Sequence, residues 1–219
     1  AFNLLYNLNL STLGEMNIAY WGELRTSSRC GRLDQACAFG VHPVFMSFDA
    51  EEVEVKNFNI SKSLYWVFSD LNGEKDTIKI LTDLNKAFPF AEGEREKNVQ
   101  YALGELNVKT VKEAIELMKN GQVEELGKLM TKAQEDFDKY ITPMCPTQLT
   151  SPKLHAMLKD ETVRSLTYGG KGVGSHGDGS VQFLAKSKDD QAKLVDYLKS
   201  LGLHAYPLTI EPKHTIRKA

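Results

Sequence analysis

The spacing of apolar residues along the 219-residue chain changes from region to region. A period of about 3.6 residues is typical of a helix with one buried face. Four segments in the middle of the chain have it: 76–87, 95–104, 108–119 and 122–140. Three earlier segments have the short apolar or alternating pattern of strands: 42–49, 52–58 and 63–70. The third is apolar enough to be buried on both faces.

Helix boundaries are also marked in the sequence. Ser11 is a candidate N-cap for a helix through EMNIAYWGEL, and residues 2–8 have the pattern of the end of an earlier apolar helix. Pro152 suits the first position of another helix. The chain ends with a glycine-rich segment, a strand (180–186), a helix (189–201) and a strand (203–210). This order predicts an α+β fold with helices on one face of an antiparallel sheet.

Composition narrows the class of protein. Hydrophobic residues make up 42% of the chain, which is enough for a sizeable core and argues against global disorder. The 27 basic and 29 acidic residues give a net charge of −2, so nothing favours nucleic-acid binding. No apolar run has the length of a membrane span. The start has no signal-peptide pattern and falls inside an apolar helical pattern, which predicts that the chain is part of something longer.

The three cysteines, Cys30, Cys37 and Cys145, cannot all pair with one another. Cys30 and Cys37 with His42 do not have the spacing of a zinc site. We therefore interpret them as free, buried thiols in a reducing compartment, with a cytoplasmic location.

The sequence GGKGVGSHGDGS, residues 169–180, contains six glycines. Glycine loses more backbone entropy on folding than any other residue, so this density indicates positive φ angles or a close approach of the backbone to a ligand. A strand follows, which argues against a dinucleotide-binding fingerprint, and the P-loop pattern is missing. The alternative is a glycine-rich hairpin without a ligand.

The segment SSRCGRLDQ, residues 27–35, places Asp34 close to Arg29 and Arg32. A carboxylate near basic groups stays ionised and can accept a proton from a hydroxyl, or orient it. A helix-capping role for Asp34 is the alternative. Glu23, eleven residues earlier, is by itself only a surface carboxylate. In a third segment, DLNGEKDT (70–77), the pattern favours Asp76 or Thr77 as the cap of the next helix.

Together these segments resemble the GHMP kinases, the superfamily of galactokinase, homoserine kinase, mevalonate kinase and phosphomevalonate kinase. Gly31–Gln35 resembles the family's GxxDQ motif, and Lys171–Gly179 resembles its third motif, KxxGAGGGG. Ser175, His176 and Asp178 stand where the family has small residues. Residues 129–158 are similar to a galactokinase stretch, so the resemblance covers nearly the whole chain.

The resemblance implies roles for particular residues. Asp34 would be the catalytic base, and Glu23 would bind Mg²⁺. The substrate and phosphates of ATP would lie against a further set: Gln35, Gly174, Ser175, His176, Gly177, Asp178 and Gly179. An Asp followed by Gln is typical of the sugar kinases of the family, whereas mevalonate kinases usually carry Asn there.

The resemblance also implies two domains. Residues 1–59 would be the remainder of an N-terminal domain resembling the ribosomal S5 domain 2 fold, and residues 60–219 a ferredoxin-like C-terminal domain. The first and second family motifs are absent, so we expect the missing segment to precede residue 1, either in the same polypeptide or as a separate chain. The implied function is ATP-dependent phosphorylation of a sugar. The alternatives are a mevalonate-type kinase and a sugar sensor without turnover.

Overall fold

The computed structural model describes residues 2–26, 31–40, 43–49 and 52–212. The chain divides into two compact units, Ala1–Asn59 and Ile60–Ala219. That these units are the two domains of a kinase remains a prediction.

In its described residues, the first unit contains two α-helices, a 3₁₀ helix and a two-stranded sheet. Helix α1 (Phe2–Leu5) is followed by α2 (Thr12–Leu24), and the Ser11 hydroxyl caps α2 by accepting a hydrogen bond from the Gly14 amide at 3.1 Å. A 3₁₀ helix (Asp34–Phe39) comes next. Strands β1 (Val44–Asp49) and β2 (Glu52–Asn57) then pair antiparallel.

The second unit is built on a four-stranded antiparallel sheet. Its strands are β3 (Leu64–Asp70), β4 (Thr167–Gly172), β5 (Ser180–Ala185) and β6 (Ala205–Ile210). They lie in the order β4-β5-β3-β6, which is the order of a ferredoxin-like split β-α-β arrangement. The α+β prediction is therefore confirmed.

Helices fill the connections of this sheet. Seven lie between β3 and β4: α3 (Thr77–Asn85), α4 (Glu94–Tyr101), α5 (Asn107–Lys119), α6 (Val123–Tyr140), α7 (Pro146–Leu149), α8 (Pro152–Lys159) and α9 (Glu161–Leu166). A π-helical turn, Ala102–Leu106, joins α4 to α5. Helix α10 (Lys188–Ser200) lies between β5 and β6. The helices predicted from periodicity are thus confirmed with small shifts of their ends, and Asp76 caps α3 as expected.

Two clusters of buried side chains stabilise the second unit. One joins the sheet to α8, α9 and α10 and includes Val67, Leu154, Phe183 and Leu194. The other lies among the helices between β3 and β4 and includes Ile80 and Leu149. No helix in the described part of the chain is long and apolar enough to cross a bilayer.

Candidate functional site

The residues predicted to form a site lie in two regions, one in each unit. In the first unit they follow helix α2. Glu23 lies in the last turn of α2, and its carboxylate accepts a hydrogen bond from the side-chain amide of the buried Gln35 at 2.7 Å. The structure therefore brings together two residues that are twelve positions apart in the sequence.

A second contact ties the Gly31–Gln35 segment to α2. The Arg32 guanidinium lies over the Tyr20 ring, 4.8 Å from its centroid, which is favourable cation–π geometry. Tyr20 and Glu23 are three residues apart and so lie on the same face of the helix. Because Arg32 and Gln35 flank Asp34, these two contacts fix the position of Asp34.

Asp34 itself is exposed and begins the 3₁₀ helix Asp34–Phe39. An exposed carboxylate with a fixed backbone can meet a hydroxyl that arrives from solvent. The alternative role, a helix cap, does not match this position, because Leu33 occupies the N-cap and Asp34 is the first residue of the helix itself.

Metal binding rests on a single predicted ligand in this region. A carboxylate in the last turn of a helix lies at the negative end of the helix dipole, which disfavours an anion and favours a cation nearby. Mg²⁺ beside nucleotide phosphates is commonly held by only one or two carboxylates, so Glu23 fits such an ion. Among the residues described, no group of three or more His, Cys, Asp or Glu forms a cage for a metal.

The cysteine interpretation is partly corrected by the structure. Cys145 is buried, as expected, but Cys37 is exposed in the 3₁₀ helix. Cys30 and His42 lie outside the described residues, as does Arg29.

The glycine-rich segment of the second unit is a hairpin. Its first part, Thr167–Gly172, is strand β4 rather than loop, and residues 173–179 form the turn to β5. One reason for the glycines is helix packing, which was not expected. A Cβ on Gly169 would lie 1.9 Å from the Gly127 carbonyl oxygen, so only glycine lets the backbones of β4 and α6 approach this closely.

Positive φ angles, the reason anticipated from the sequence, occur in the turn itself. Gly174 and Gly177 have φ of 61° and 73°, and His176 between them has φ of 60°. Asn, Asp and His are the non-glycine residues that enter this region most readily. The turn therefore has the geometry of a glycine-rich hairpin, the alternative that the sequence left open.

His176 is the centre of the turn. Its imidazole is buried and stacks on the Phe137 ring of α6, with centroids 3.6 Å apart and planes 4° from parallel. Its Nδ1 atom is buried and has no hydrogen-bond partner in the described part of the chain. Burial, together with the positive charges of Lys171 and Lys75, lowers the pKa of His176 to about 3. The ring is therefore neutral at physiological pH.

Asp178 has a structural contact. Its carboxylate accepts a hydrogen bond from the Leu154 amide at 2.9 Å, in the first turn of α8. Ser151, the residue before that helix, makes no capping bond with its side chain, so Asp178 supplies a cap from 24 residues away. A carboxylate committed in this way is poorly suited to contact a phosphate.

Two residues that were not singled out from the sequence also hold the turn. The Gln134 side chain of α6 accepts a hydrogen bond from the Gly172 amide at 2.8 Å. The Lys75 ammonium donates to the His176 carbonyl at 3.2 Å. Gln134 and Phe137 are three residues apart on α6 and so lie on the same face of that helix. This spacing is the sequence signal that could have indicated that both contact the hairpin.

Comparisons with known proteins give the fold. No protein-family model and no curated protein matches the sequence. Among solved structures, the mevalonate kinase of L. major in complex with R-mevalonate is 20% identical, with a TM-score of 0.73; the match covers 97% of this chain and 62% of that one. The galactokinase of Lactococcus lactis, complexed with galactose, is 14% identical, with a TM-score of 0.68 and coverage of 96% and 62%.

A third match is the homoserine kinase of Cytophaga hutchinsonii, 14% identical with a TM-score of 0.60 and coverage of 97% and 61%. All three proteins are GHMP kinases. This chain therefore has the GHMP kinase fold, as the resemblance implied. It spans about three fifths of the length of the structures it matches. Identities at this level do not select a substrate.

Proposed function

We propose that this chain is part of an ATP-dependent GHMP kinase that transfers a phosphoryl group to a hydroxyl of a sugar. The observation that carries the proposal is the hydrogen bond between Gln35 and Glu23. This bond joins Gln35, which follows the proposed base Asp34 in the sequence, to Glu23, the proposed metal ligand. Both residues belong to a chain with the GHMP kinase fold.

Each residue has a role in this proposal. Asp34 accepts the proton of the attacking hydroxyl or orients that hydroxyl, as a positioned acid–base group does. Glu23 holds Mg²⁺, with Gln35 fixing the direction of its carboxylate. When bound, Mg²⁺ neutralises charge on the phosphates of ATP. Most of the rate comes from positioning and charge neutralisation, as in other phosphoryl transfers.

Gln35 also supports a sugar over mevalonate, because an Asp–Gln pair is typical of the sugar kinases in the family. The Gln35 side chain is buried against Glu23, so replacing it with the shorter Asn would lengthen that contact. The presence of both Asp34 and Glu23 argues against a sugar sensor that has lost turnover.

In the second unit, residues 174–179 form a proposed phosphate-binding segment. Gly174, Ser175, Gly177 and Gly179 are its candidate contacts. Asp178 and His176 act instead by fixing the turn, because each is committed to a neighbour: Asp178 to α8 and His176 to Phe137.

The first unit exposes several apolar side chains. Phe2 and Leu5 of α1 are 72% and 71% exposed, and Val44 and Met46 of β1 are only half-buried. Apolar surfaces of this kind are covered by a partner or cause aggregation. We propose that the remainder of the kinase N-terminal domain, in the same polypeptide or another, covers them and supplies the main ATP phosphate loop.

The test is an assay of ATP consumption by the full-length protein against a panel of sugars, mevalonate and homoserine. Turnover with a sugar supports the proposal, and turnover with mevalonate alone replaces the sugar by the second substrate class. Sugar binding without ATP consumption points to a sensor. In a parallel assay, Glu23→Gln raises the Mg²⁺ concentration needed for half-maximal rate. An unchanged requirement excludes Glu23 as a metal ligand.

A further inference from the structure

Strand β4 lies at one edge of the four-stranded sheet, and a cavity lies beside it between α6 and the helices α8 and α9. The cavity has a volume of about 650 Å³, within the usual range for small-molecule sites. Gly169 and Gly170 of β4 and Phe183 of β5 are among the residues that line it. The cavity is therefore large enough for a small molecule in contact with the backbone of β4.

The hydrogen bonds of β4 determine which of its backbone groups face away from the sheet. Opposite residues of an antiparallel pair alternate between those that exchange backbone hydrogen bonds and those that do not. The Val173 amide donates to the Ser180 carbonyl, whereas the Gly172 amide points outward to the Gln134 side chain. Gly170, two residues before Gly172 and without a register shift between them, has the same orientation as Gly172. Its N–H and C=O therefore point away from β5.

Gly170 is buried, and its outward backbone groups lack partners. No residue in the described part of the chain bonds to this N–H or this C=O. Gly172 differs, because its amide donates to Gln134 and its carbonyl accepts from the Lys171 ammonium. Buried backbone groups are nearly always paired with protein, water or a ligand. Gly170 therefore offers one donor and one acceptor, side by side, to a molecule in the cavity.

The two walls of the cavity carry opposite charges. Glu135 and Asp138 place carboxylates on the α6 side, and Lys159 and Arg164 place cations on the side of α8 and α9. Among the described residues, no ion pair within 4.0 Å joins either carboxylate to either of these two cations. Opposite charges that line one cavity without meeting match a small ligand that carries both charges.

The Asp138 end of the cavity is closed by side chains. His155 Nε2 lies 3.6 Å from the Asp138 carboxylate and so links α8 to α6. The Gln134 side chain donates to the same carboxylate at 2.9 Å and also holds the Gly172 amide. A peptide that added to β4 as a strand would have to continue through this closed end. A molecule of the size of one amino acid would not.

We propose that this cavity binds a free α-amino acid. The ligand's carboxylate accepts hydrogen bonds from the Gly170 amide and the Arg164 guanidinium, whose planar fork suits a carboxylate. Its ammonium donates to the Gly170 carbonyl and to Asp138. An amino acid thus pairs with Gly170 as one residue of a neighbouring antiparallel strand would. The inference rests on the second unit alone and is independent of the proposed kinase activity.

The test is calorimetric titration of the full-length protein with each of the standard amino acids, up to about 20 mM. At least one should bind. Its N-acetyl derivative lacks the ammonium and its carboxamide lacks the carboxylate, so each should bind about 10-fold more weakly or worse. The inference is overturned if no amino acid binds, or if either derivative binds as well as the amino acid itself.

Substitutions in the two walls locate the site. Arg164→Gln and Asp138→Asn should each weaken binding by about 10-fold or more, the size expected for a hydrogen bond to a charged group. The matched control is Arg95→Gln, which removes an exposed arginine of α4 outside the cavity and should leave the affinity within about twofold of the parent value. Because Arg164 is also exposed, Arg164→Gln should melt at the parent temperature. Unchanged affinity in Arg164→Gln would mean that the amino acid binds elsewhere, and the inference would be wrong.

The Gly170 amide provides a direct readout. Gly169–Gly170 is the only Gly–Gly pair in the 219-residue sequence. Glycine labelled with ¹³C at the carbonyl and ¹⁵N at the amide therefore selects the Gly170 N–H of this chain in a carbonyl-edited NMR spectrum. Its proton resonance should move downfield when the amino acid is added, and should stay in place in Arg164→Gln at the same concentration. A resonance that does not move in the parent protein would exclude Gly170 as the donor and refute the inference.

Discussion

The two units of the chain differ in how much of their surface is buried. In the described part of Ala1–Asn59, only Met16 and Gln35 are buried, while Leu4 is 83% exposed and Trp21 57% exposed. The second unit has two continuous clusters of buried side chains. A unit of fewer than sixty residues with so little burial has few means of stabilising itself.

The contrast extends to the two candidate site regions. The segment of Asp34 is held to α2 by two side-chain contacts, Arg32 on Tyr20 and Gln35 on Glu23. The turn 173–179 is held by α6, by α8 and by the loop before α3, through Gln134, Phe137, Lys75 and the Asp178 cap. In the first region the Asp34 carboxylate is left exposed, whereas in the second region most of the contacting side chains hold the backbone of the turn.

The largest effect that this comparison predicts concerns Asp34. If the full-length protein is the proposed kinase, Asp34→Asn should lower kcat by about 10²–10⁴, the usual contribution of a positioned acid–base group. The melting temperature should not change, because the side chain is exposed. Asp49→Asn, which removes another exposed carboxylate of the same unit, is the control and should keep full activity. Near-normal turnover of Asp34→Asn would show that Asp34 only begins its short helix.

Two glycine-to-alanine substitutions, one in each unit, should change the free energy of unfolding in opposite directions. Gly169→Ala should lower the free energy of unfolding by about 1–3 kcal/mol, because its Cβ would overlap the Gly127 carbonyl of the α6 backbone. Gly22→Ala, in α2, meets no atom within 4 Å and should raise it by up to about 1 kcal/mol. Urea unfolding measures both. Equal effects would mean that the two units are packed alike.

His176 predicts a pH dependence of stability in the second unit. Its pKa is lowered to about 3 in the folded protein, so the unfolded chain binds a proton first as the pH falls. Stability is therefore complete above the ordinary His pKa of about 6.5 and decreases toward pH 3, by at most about 1.4 kcal/mol per pH unit.

Replacing the ring tests this dependence. His176→Phe keeps an aromatic ring against Phe137 and should remove the acid-dependent loss of stability between pH 6.5 and 5. His155→Gln, a change at a histidine that is not buried, should keep it. The same slope in His176→Phe as in the parent protein would show that His176 is not the titrating group.

The smallest expected effect is at Asp178. Asp178→Ala removes the cap of α8 and should cost about 1 kcal/mol of stability, as the loss of other helix caps does. Asp178→Asn keeps an acceptor for the Leu154 amide and should cost less. If the two variants are equally stable but both lose affinity for ATP, Asp178 belongs to the binding surface.

Local signals explain which parts of the fold could be predicted. Helices α3, α5 and α6 have clear periodicity, strand β3 is a short apolar run, and Ser11 and Asp76 cap the helices they precede. Strand β4 could not be predicted from local preference, because glycine is a poor strand former. Its sequence suits the contact with α6 instead, and that contact depends on the tertiary structure.

The same limit applies to the site. The motif that contains Asp34 and Gln35 was recognisable from the sequence, and so was Glu23. The contacts that assign roles at the hairpin join residues far apart: Lys75 is 101 positions from His176, and Asp178 is 24 from Leu154. No pattern within one segment contains such information, so these roles emerge only from the three-dimensional structure.

The position of β3 in the sheet has a consequence for how the chain is made. Tyr65 of β3 pairs with Ala185 of β5 and with Thr209 of β6. Both edges of this central strand therefore pair with residues that lie more than a hundred positions later in the chain and are synthesised after it. Pairing over such separations is slow, because a long loop must close first. On the ribosome, the helices between β3 and β4 emerge while β3 still has no strand beside it. We therefore expect β3 to be the segment most exposed to aggregation or chaperone binding during synthesis.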